Sequence, residues 1–416
     1  MIQPTQAPSF RGRPRSRGHS LSIARRHGFR AAATASVIIA AICVVSTTGA
    51  ALPLRRDPVK VEPQALAANI ANGLETYQIN GRKFGVSTAV HVLAFSAAQY
   101  AVQVGLAHHA IDGGEQTPST MCRTAPGCVA AVNGDFFDLL PTGQPDPGDE
   151  VGAIIQNCVL LHTPEVAHQQ VDLDAQTVSE GLNWSSTVNV NGVNVPITAI
   201  NQELPMSYAN VHLPLSGTLL FTSPYALPTP SASGWVTYEF TQVSGATSPT
   251  TINTTTSLEF SGETTTPVRV TAGTVDISTP SGSALAALLV GNTVTLTTTS
   301  TAGCDNIGGH PILLDHGVVA PIDPADIYMV RPYARTVIGW TASGETVIMT
   351  VDGKDGVSGA TAHQLVALLQ SISVVTALDL DGGNSTTLFV NGRTLNHPSH
   401  KSERPVSTSL LVVTNP

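Results

Sequence analysis

The chain has 416 residues, 42% hydrophobic and only 12% charged. That supplies core for one large or two modest domains and excludes a disordered chain. Residues 1–50 hold seven arginines and no acid, leaving 13 Lys and Arg against 29 Asp and Glu in the remainder, a net charge of −16; so acidic a body excludes nucleic acid and anionic membrane as bulk partners and confines anion recognition to local pockets.

In chain order, the first element is a targeting segment over residues 1–52. A basic stretch ending at Arg30 precedes an uncharged run from Ala31 to Leu54, with small residues near Ala50 and Ala51 suited to signal-peptidase cleavage. The run is long enough to span a bilayer, so a retained anchor is the alternative. Its Ala, Ser and Thr content is weakly hydrophobic and favours cleavage. Either way the body is predicted to be secreted or extracytoplasmic, touching membrane only through this segment if it is uncleaved. Residues 53–84 read as a linker or N-terminal extension, and the catalytic domain is expected over 85–416.

The run "GVSTAVHVLAF" (85–95) reads as a strand. Cys122, Cys128, Cys158 and Cys304 are an even number in an oxidising compartment and allow three pairings. A Cys122–Cys128 bond would close a short loop and leave Cys158–Cys304 tying distant parts together. In "AAVNGDFFDLLPTG" (130–143), Asn133 and Asp135 beside Phe136 and Phe137 offer polar groups for sugar hydroxyls and a ring for the apolar sugar face, although a turn followed by core aromatics reads equally well. Between Thr218 and Ser300 the chain is Thr- and Val-rich with Pro and Gly punctuation, a run of short strands at hairpin-like spacing.

In "IGGHPILLDHG" (307–317), Gly308 and Gly309 permit close backbone approach, and His310 is a donor, acid or base candidate. In "RPYARTVIGW" (331–340), Arg335 enters an apolar strand next to Thr336, where a charge needs a partner: a phosphate, or a structural aspartate such as Asp352. The segment "ETVIMTVDG" (345–353) pairs with it through an "ASG" turn. "TAHQLVALLQSI" (361–372) predicts a helix, with Thr361 and Gln364 as a capping box and Leu365, Leu368, Leu369 and Ile372 as one apolar stripe for a sheet. The run "ALDLDGGNST" (377–386) then predicts a strand and hairpin turn. A regular strand would set Asp379 and Asp381 on one face, with Gly382, Gly383, Asn384 and Ser385 turning beyond them. Arg404 begins the last strand. The predicted class is α+β and β-rich, with mixed or antiparallel sheets and a few packed helices. No P-loop, nucleophile elbow or H-E-x-x-H is present.

Five stretches in this order resemble the phosphodiester glycosidase family. "VNGDFF" resembles its Asn-Gly-Gly-Phe-Phe element and "IGGHPILLDHG" its Gly-Gly-x-Pro-Leu-Leu element. "ARTVIGWTASGETVIMTVDGK" is similar to its Arg-Thr strand, hairpin and Asp-Gly turn. "ALDLDGGNST" resembles its Leu-Asp-Gly-Gly-Gly-Ser signature, and "RPVSTSLLVV" its closing strand. Asp135 and Asn384 replace glycines of that pattern. The resemblance implies hydrolysis of a sugar-1-phosphodiester or phosphorylated glycan at the anomeric carbon. It would place Arg335 and His310 on the phosphate and Asp381 and Asp352 in base, nucleophile or sugar-hydroxyl roles. Asn133 and Asp135 would be on the sugar, and Phe136, Phe137, Gly308, Gly309, Thr336, Asp379, Gly382, Gly383, Asn384, Ser385 and Arg404 would line the pocket. The resemblance assigns no cofactor, and a divalent cation stays open. A rival P–O phosphodiesterase would use a divalent cation, Ca²⁺ or Mg²⁺, on Asp352, Asp379, Asp381 and His310. A non-catalytic surface glycan-binding module is the other alternative.

Overall fold

The structure, a computed structural model, describes residues 73–138, 148–164, 168–202, 207–208, 211–212 and 216–415. The stretch expected to be a targeting segment, and the expected extension as far as residue 72, lie outside them. The described chain is strand-rich with few helices, as the α+β reading expects.

Seven strands form one antiparallel sheet. Their spatial order is Leu74–Ile79, Val90–Ser96, Glu345–Val351, Arg335–Thr341, Val374–Asp379, Ile312–Asp315 and Val318–Val319. Alternation along its strands buries both faces. Val337, Val347, Met349 and Ala377 point to one side, where Leu365, Leu368 and Leu369 of the Ala362–Ser371 helix cover them. Ile338, Trp340, Ile348 and Leu378 point to the other, against Val104, Val132, Leu388 and Leu410 of a five-stranded sheet. That second sheet runs Arg393–Thr394, Leu388–Val390, Cys128–Asn133, Thr408–Thr414 and Tyr100–Leu106. The helix starts at the capping box formed by Thr361 and Gln364.

The sheet begins earlier than the boundary at Gly85. Leu74–Ile79, within the expected extension, is its edge strand, pairing Leu74 with Phe95 and Ile79 with Val90. Its burial is confined to Leu74 and Ile79 at the two ends, so the stretch carries little apolar periodicity.

Ile154–Gln156, Val159–His162, Gln169–Asp172, Thr177–Ser179 and Asn306–Gly309 form another five-stranded antiparallel sheet, in which Gly309 pairs with Gln169. The Thr-rich region builds an eight-stranded sheet over 184–300, antiparallel apart from one parallel pair between Ala199–Ile200 and Leu219–Thr222. The disulfides are Cys122–Cys128 and Cys158–Cys304.

Candidate active site

The "DLDGGNST" segment is not a hairpin. Val374–Asp379 belongs to the seven-stranded sheet and Leu388–Val390 to the five-stranded sheet, so the segment carries the chain from one layer to the other. The strand ends at Asp379. Beyond it Leu380 N–H donates to Thr336 O, Asp381 N–H to Gly134 O and Gly383 N–H to Ala334 O. These bonds come from two separate stretches, 334–336 and Gly134, and replace the ladder a hairpin would provide.

The crossing separates the two aspartates. Asp379 is fully buried and accepts from Arg335 Nη1 at 2.7 Å. Arg335 is also fully buried; its Nε donates to Ala360 O at 3.0 Å and its Nη2 to the carbonyls of Tyr328 and Arg331. Its guanidinium also lies 4.4 Å from the Tyr328 ring centroid and 5.3 Å from that of Tyr333. The expected phosphate ligand is therefore an internal strut whose partner is Asp379, not Asp352.

Asp381 is half-buried, and its carboxyl is pushed up to about 7. Burial is the main cause, with a small contribution from Asp135; the Ser385 hydrogen bond, the Arg404 charge and the Gly382 amide oppose it. Arg404 Nη1 donates to Ser385 Oγ at 3.3 Å and stacks over the Phe137 ring at 4.9 Å. Phe137 is thus core packing. Phe136 is half-buried and meets the rings of Tyr328 and His168 edge-on, at 5.3 and 6.0 Å.

Asn133 and Thr336 are fully buried and face inward, contrary to their expected contact with substrate. Asn133 Nδ2 donates to the Asp381 carbonyl at 2.6 Å, while its Oδ1 accepts from the Thr336 hydroxyl at 2.8 Å and from Thr387 N–H at 3.2 Å. Asp135 is only 3% exposed. Its Oδ1 accepts from His168 Nε2 at 2.8 Å and from Phe136 N–H at 2.7 Å. The other oxygen sits over Gly152 and Gly308, where a Cβ would come within 2.0 and 1.9 Å of it. The glycine at 308 thus makes room for the chain's own carboxylate. Gly309 likewise accommodates the carbonyl of Asp379, 2.6 Å from a Cβ placed there.

His310 is held by Asp326 Oδ2 at 2.7 Å from Nε2 and by Gln169 Oε1 at 3.3 Å from Nδ1, and remains about one-third exposed. Its backbone N–H donates to Asp379 O at 2.8 Å. The pairing of Gly309 with Gln169 brings His310 and His168 to neighbouring strand ends. Burial pulls His168 down, but the charge and hydrogen bond of Asp135 outweigh it and leave the imidazole raised.

Gly382 approaches the Tyr328 hydroxyl and Ala334 O too closely for a Cβ; Gly383 has φ +56° beside Asp355. Asn384 is half-buried in the same turn. Asp352 stands apart, accepting from His397 N–H at 3.0 Å and lying 2.9 Å from His397 Nδ1. No three of Asp352, Asp379, Asp381 and His310 bring ligand atoms within 4.8 Å of one another, so the expected cation set does not converge.

The structure therefore gathers Asp381, Ser385, Arg404 and Phe136, with Asp135 beneath them and His310 next to Asp379. His168, Tyr328 and Asp326 belong to this region and were not singled out from sequence. The phosphodiester glycosidase family model matches over residues 251–413. The match takes in His310, Arg335, Asp379, Asp381 and Arg404; Asn133–Phe137 and His168 lie before it.

Relatives of known name are similar over shorter stretches. The N-acetylglucosamine-1-phosphodiester alpha-N-acetylglucosaminidase of Homo sapiens is 36% identical over 86 residues, 19% of this chain and 17% of that protein. The Bos taurus enzyme is 36% identical over 66 residues, 16% and 12% of the two chains. The SPbeta prophage-derived uncharacterized protein YomE of Bacillus subtilis (strain 168) is 37% identical over 89 residues, 21% and 14%. The chain thus covers less than a fifth of each of these relatives. Among solved structures, a hypothetical protein from Synechocystis aligns with TM-score 0.63 and 17% identity over 83% of this chain and 63% of its own. A Burkholderia pseudomallei K96243 protein named as a candidate exported protein gives 0.60 and 18% over 78% and 74%. Both likenesses concern the fold.

Proposed function

We propose that the chain is an exported glycosidase that hydrolyses a sugar-1-phosphodiester by breaking the C–O bond at the anomeric carbon. The observation that carries this reading is the placing of Asp381: a half-buried carboxyl at the crossing between two sheets, with Arg404 and Ser385 on one side and the Phe136 and Tyr328 rings nearby. The match of residues 251–413 to the family and the similarity to relatives named for N-acetylglucosamine-1-phosphodiesters support the substrate class. Two disulfides support an oxidising compartment.

The chemistry follows from the leaving group. A phosphate departs as a stabilised anion and needs little protonation, so the demand on the protein is a base for water and positive charge for the phosphate. Ionised Asp381 takes a proton from water as the water oxygen bonds to the anomeric carbon. The bond from that carbon to the bridging oxygen breaks, and its electron pair leaves with the phosphate. Arg404 and His310 are the cationic and donor groups available to that anion. Phe136 and Tyr328 offer rings for the sugar, while Arg335, Asp379 and Asn133 hold the crossing in place.

Turnover of a panel of sugar-1-phosphodiesters in ¹⁸O water tests this. Label in the released sugar is expected. Label in the phosphate would mean P–O cleavage, and binding without release of reducing sugar would mean a glycan-binding module; either overturns the reading.

A further inference from the structure

Asp352 belongs to a cluster that the proposed glycosidase chemistry does not use. His91, Asp352 and His397 bring one ligand atom each within 4.8 Å of one another. Asp352 Oδ2 lies 2.9 Å from His397 Nδ1 and 3.6 Å from His91 Nε2. We propose that these three side chains form a transition-metal site, filled by Zn²⁺ or an ion of similar preference, that pins the 396–399 loop to adjoining strand ends of the seven-stranded sheet.

The donor set selects the metal class. Two imidazole nitrogens and one carboxylate oxygen suit zinc, which takes three protein ligands with a fourth position for water, whereas Ca²⁺ and Mg²⁺ favour oxygen throughout. Tetrahedral bonds of about 2.0–2.1 Å set ligand atoms about 3.3 Å apart. The two measured separations fall on either side of that value. The His91 and His397 rings are tilted by 47° with centroids 6.3 Å apart, so they do not stack on each other.

His91 supplies an independent observation. It is 5% exposed, and its Nε2 faces Asp352 Oδ2 at 3.6 Å, beyond hydrogen-bond distance, with no closer partner among the described residues. A buried imidazole nitrogen left in that way is costly unless something else engages it. On the far side of the ring, Nδ1 lies 3.4 Å from the Gln78 amide. The amide atom placed there is Gln78 Nε2; a half-turn of that amide on metal binding would let Nδ1–H donate to its oxygen and leave the Nε2 lone pair facing the ion, the outer-shell arrangement typical of metal-bound histidine.

The backbone fixes two of the ligands. Val90 pairs with Val351, so His91 and Asp352 sit at adjoining strand ends, and Asp352 N–H donates to Ala89 O at 2.9 Å. The His397 N–H holds Asp352 Oδ1, which leaves Oδ2 for the ion. The third ligand comes from a loop and has a largely exposed side chain, at 84%. It lines a surface cleft of about 550 Å³ with Thr394, Asn396 and Glu403, through which an ion can enter. Ser399 of the same loop donates to Gly353 O at 2.9 Å and Gly383 O at 3.2 Å. An ion at His397 would therefore steady the turn that follows Asp381.

The test uses the full chain, stripped with a chelator and titrated with Zn²⁺ alone against a chromophoric competitor, with Co²⁺ absorption as a report on geometry. One equivalent is expected to bind at micromolar concentration or below, to give a tetrahedral Co²⁺ spectrum and to raise the melting temperature. His397→Ala, at an exposed position, should keep the fold and weaken binding at least about tenfold. His91→Gln is the second variant, with circular dichroism to confirm folding. Failure of the wild type to take up Zn²⁺, or unchanged affinity in folded His397→Ala, would overturn the proposal.

Discussion

The side-chain amide of Asn133 holds the backbone carbonyl of Asp381 at 2.6 Å and so joins the end of the Cys128–Asn133 strand to the crossing between sheets. Its other end is occupied by Thr336 and Thr387. Replacing Asn133 by Ala would strand the Asp381 carbonyl, the Thr336 hydroxyl and the Thr387 amide in the interior. We expect a loss of about 1–3 kcal/mol in denaturant titrations. Because Asn133 does not touch substrate, the activity loss should fall on kcat, with KM nearly unchanged.

Asp381 must be ionised to act as a base, so kcat/KM should rise with pH and level off above an apparent pKa of about 7. Arg404 holds that value down, and Arg404→Gln should move the limb to higher pH. Asp381→Asn should cut turnover by about 10²–10⁴-fold without lowering the melting temperature, because it removes a carboxyl that burial disfavours. A variant with full turnover would dismiss Asp381 from the mechanism.

Arg335 and Asp379 are predicted to act on stability. Arg335→Met leaves Asp379 uncompensated in the core and should cost about 3–5 kcal/mol. Arg335→Met combined with Asp379→Leu should recover much of that loss, because an apolar pair removes both buried charges. Urea unfolding of the two single variants and the double variant measures this coupling. If Arg335 bound phosphate instead, Arg335→Met would raise KM while leaving the unfolding midpoint in place.

A like-charge pair sits in the eight-stranded sheet, where Glu239 faces Asp276 directly across two strands. Burial, assisted by Glu239, raises the Asp276 carboxyl to about 7. Its folded pKa therefore exceeds the unfolded value of about 3.9. Folding favours the protonated form, so this contribution is complete below about pH 4 and is lost as pH rises towards 7. Asp276→Asn should be more stable than wild type by about 1 kcal/mol or more at pH 8, with the advantage shrinking between pH 7 and pH 4 in calorimetric scans.

Periodic elements were legible in the sequence because their signals are local. The Leu365–Leu368–Leu369 stripe and its Thr361 cap dictate the helix wherever it packs. The α+β class agrees with expectation, and the structure takes one of the three cysteine pairings left open by the sequence. The site was legible as a set of segments rather than as roles. Arg335 reads the same in sequence whether it meets a phosphate or Asp379, and Asn133 the same whether it faces sugar or the Asp381 carbonyl. His168 enters through the pairing of Gly309 with Gln169, and Tyr328 through the short Ile327–Val330 helix. Neither has a spacing that local pattern could detect. The hairpin reading failed because Asp, Gly and Asn favour any tight turn and do not specify which sheet receives the next strand.

The eight-stranded sheet leaves the rest of the protein at Asn183 and returns at Thr301, whose N–H donates to Asn183 O at 3.3 Å, and Cys158–Cys304 ties the chain a little further back. Both ends of this long excursion share one doorway. Hairpins between residues 184 and 300 can lengthen, shorten or change their tips without altering the spacing of Asp381, Arg404 and His310. The constraint falls on side chains such as Phe221 and Tyr225 that share a core with the two site-bearing sheets, and on the backbone bonds that Ile111, Cys158, Leu160 and Thr163 make to this region. The two site-bearing sheets can thus keep their geometry while the outer surface of the Thr-rich sheet changes.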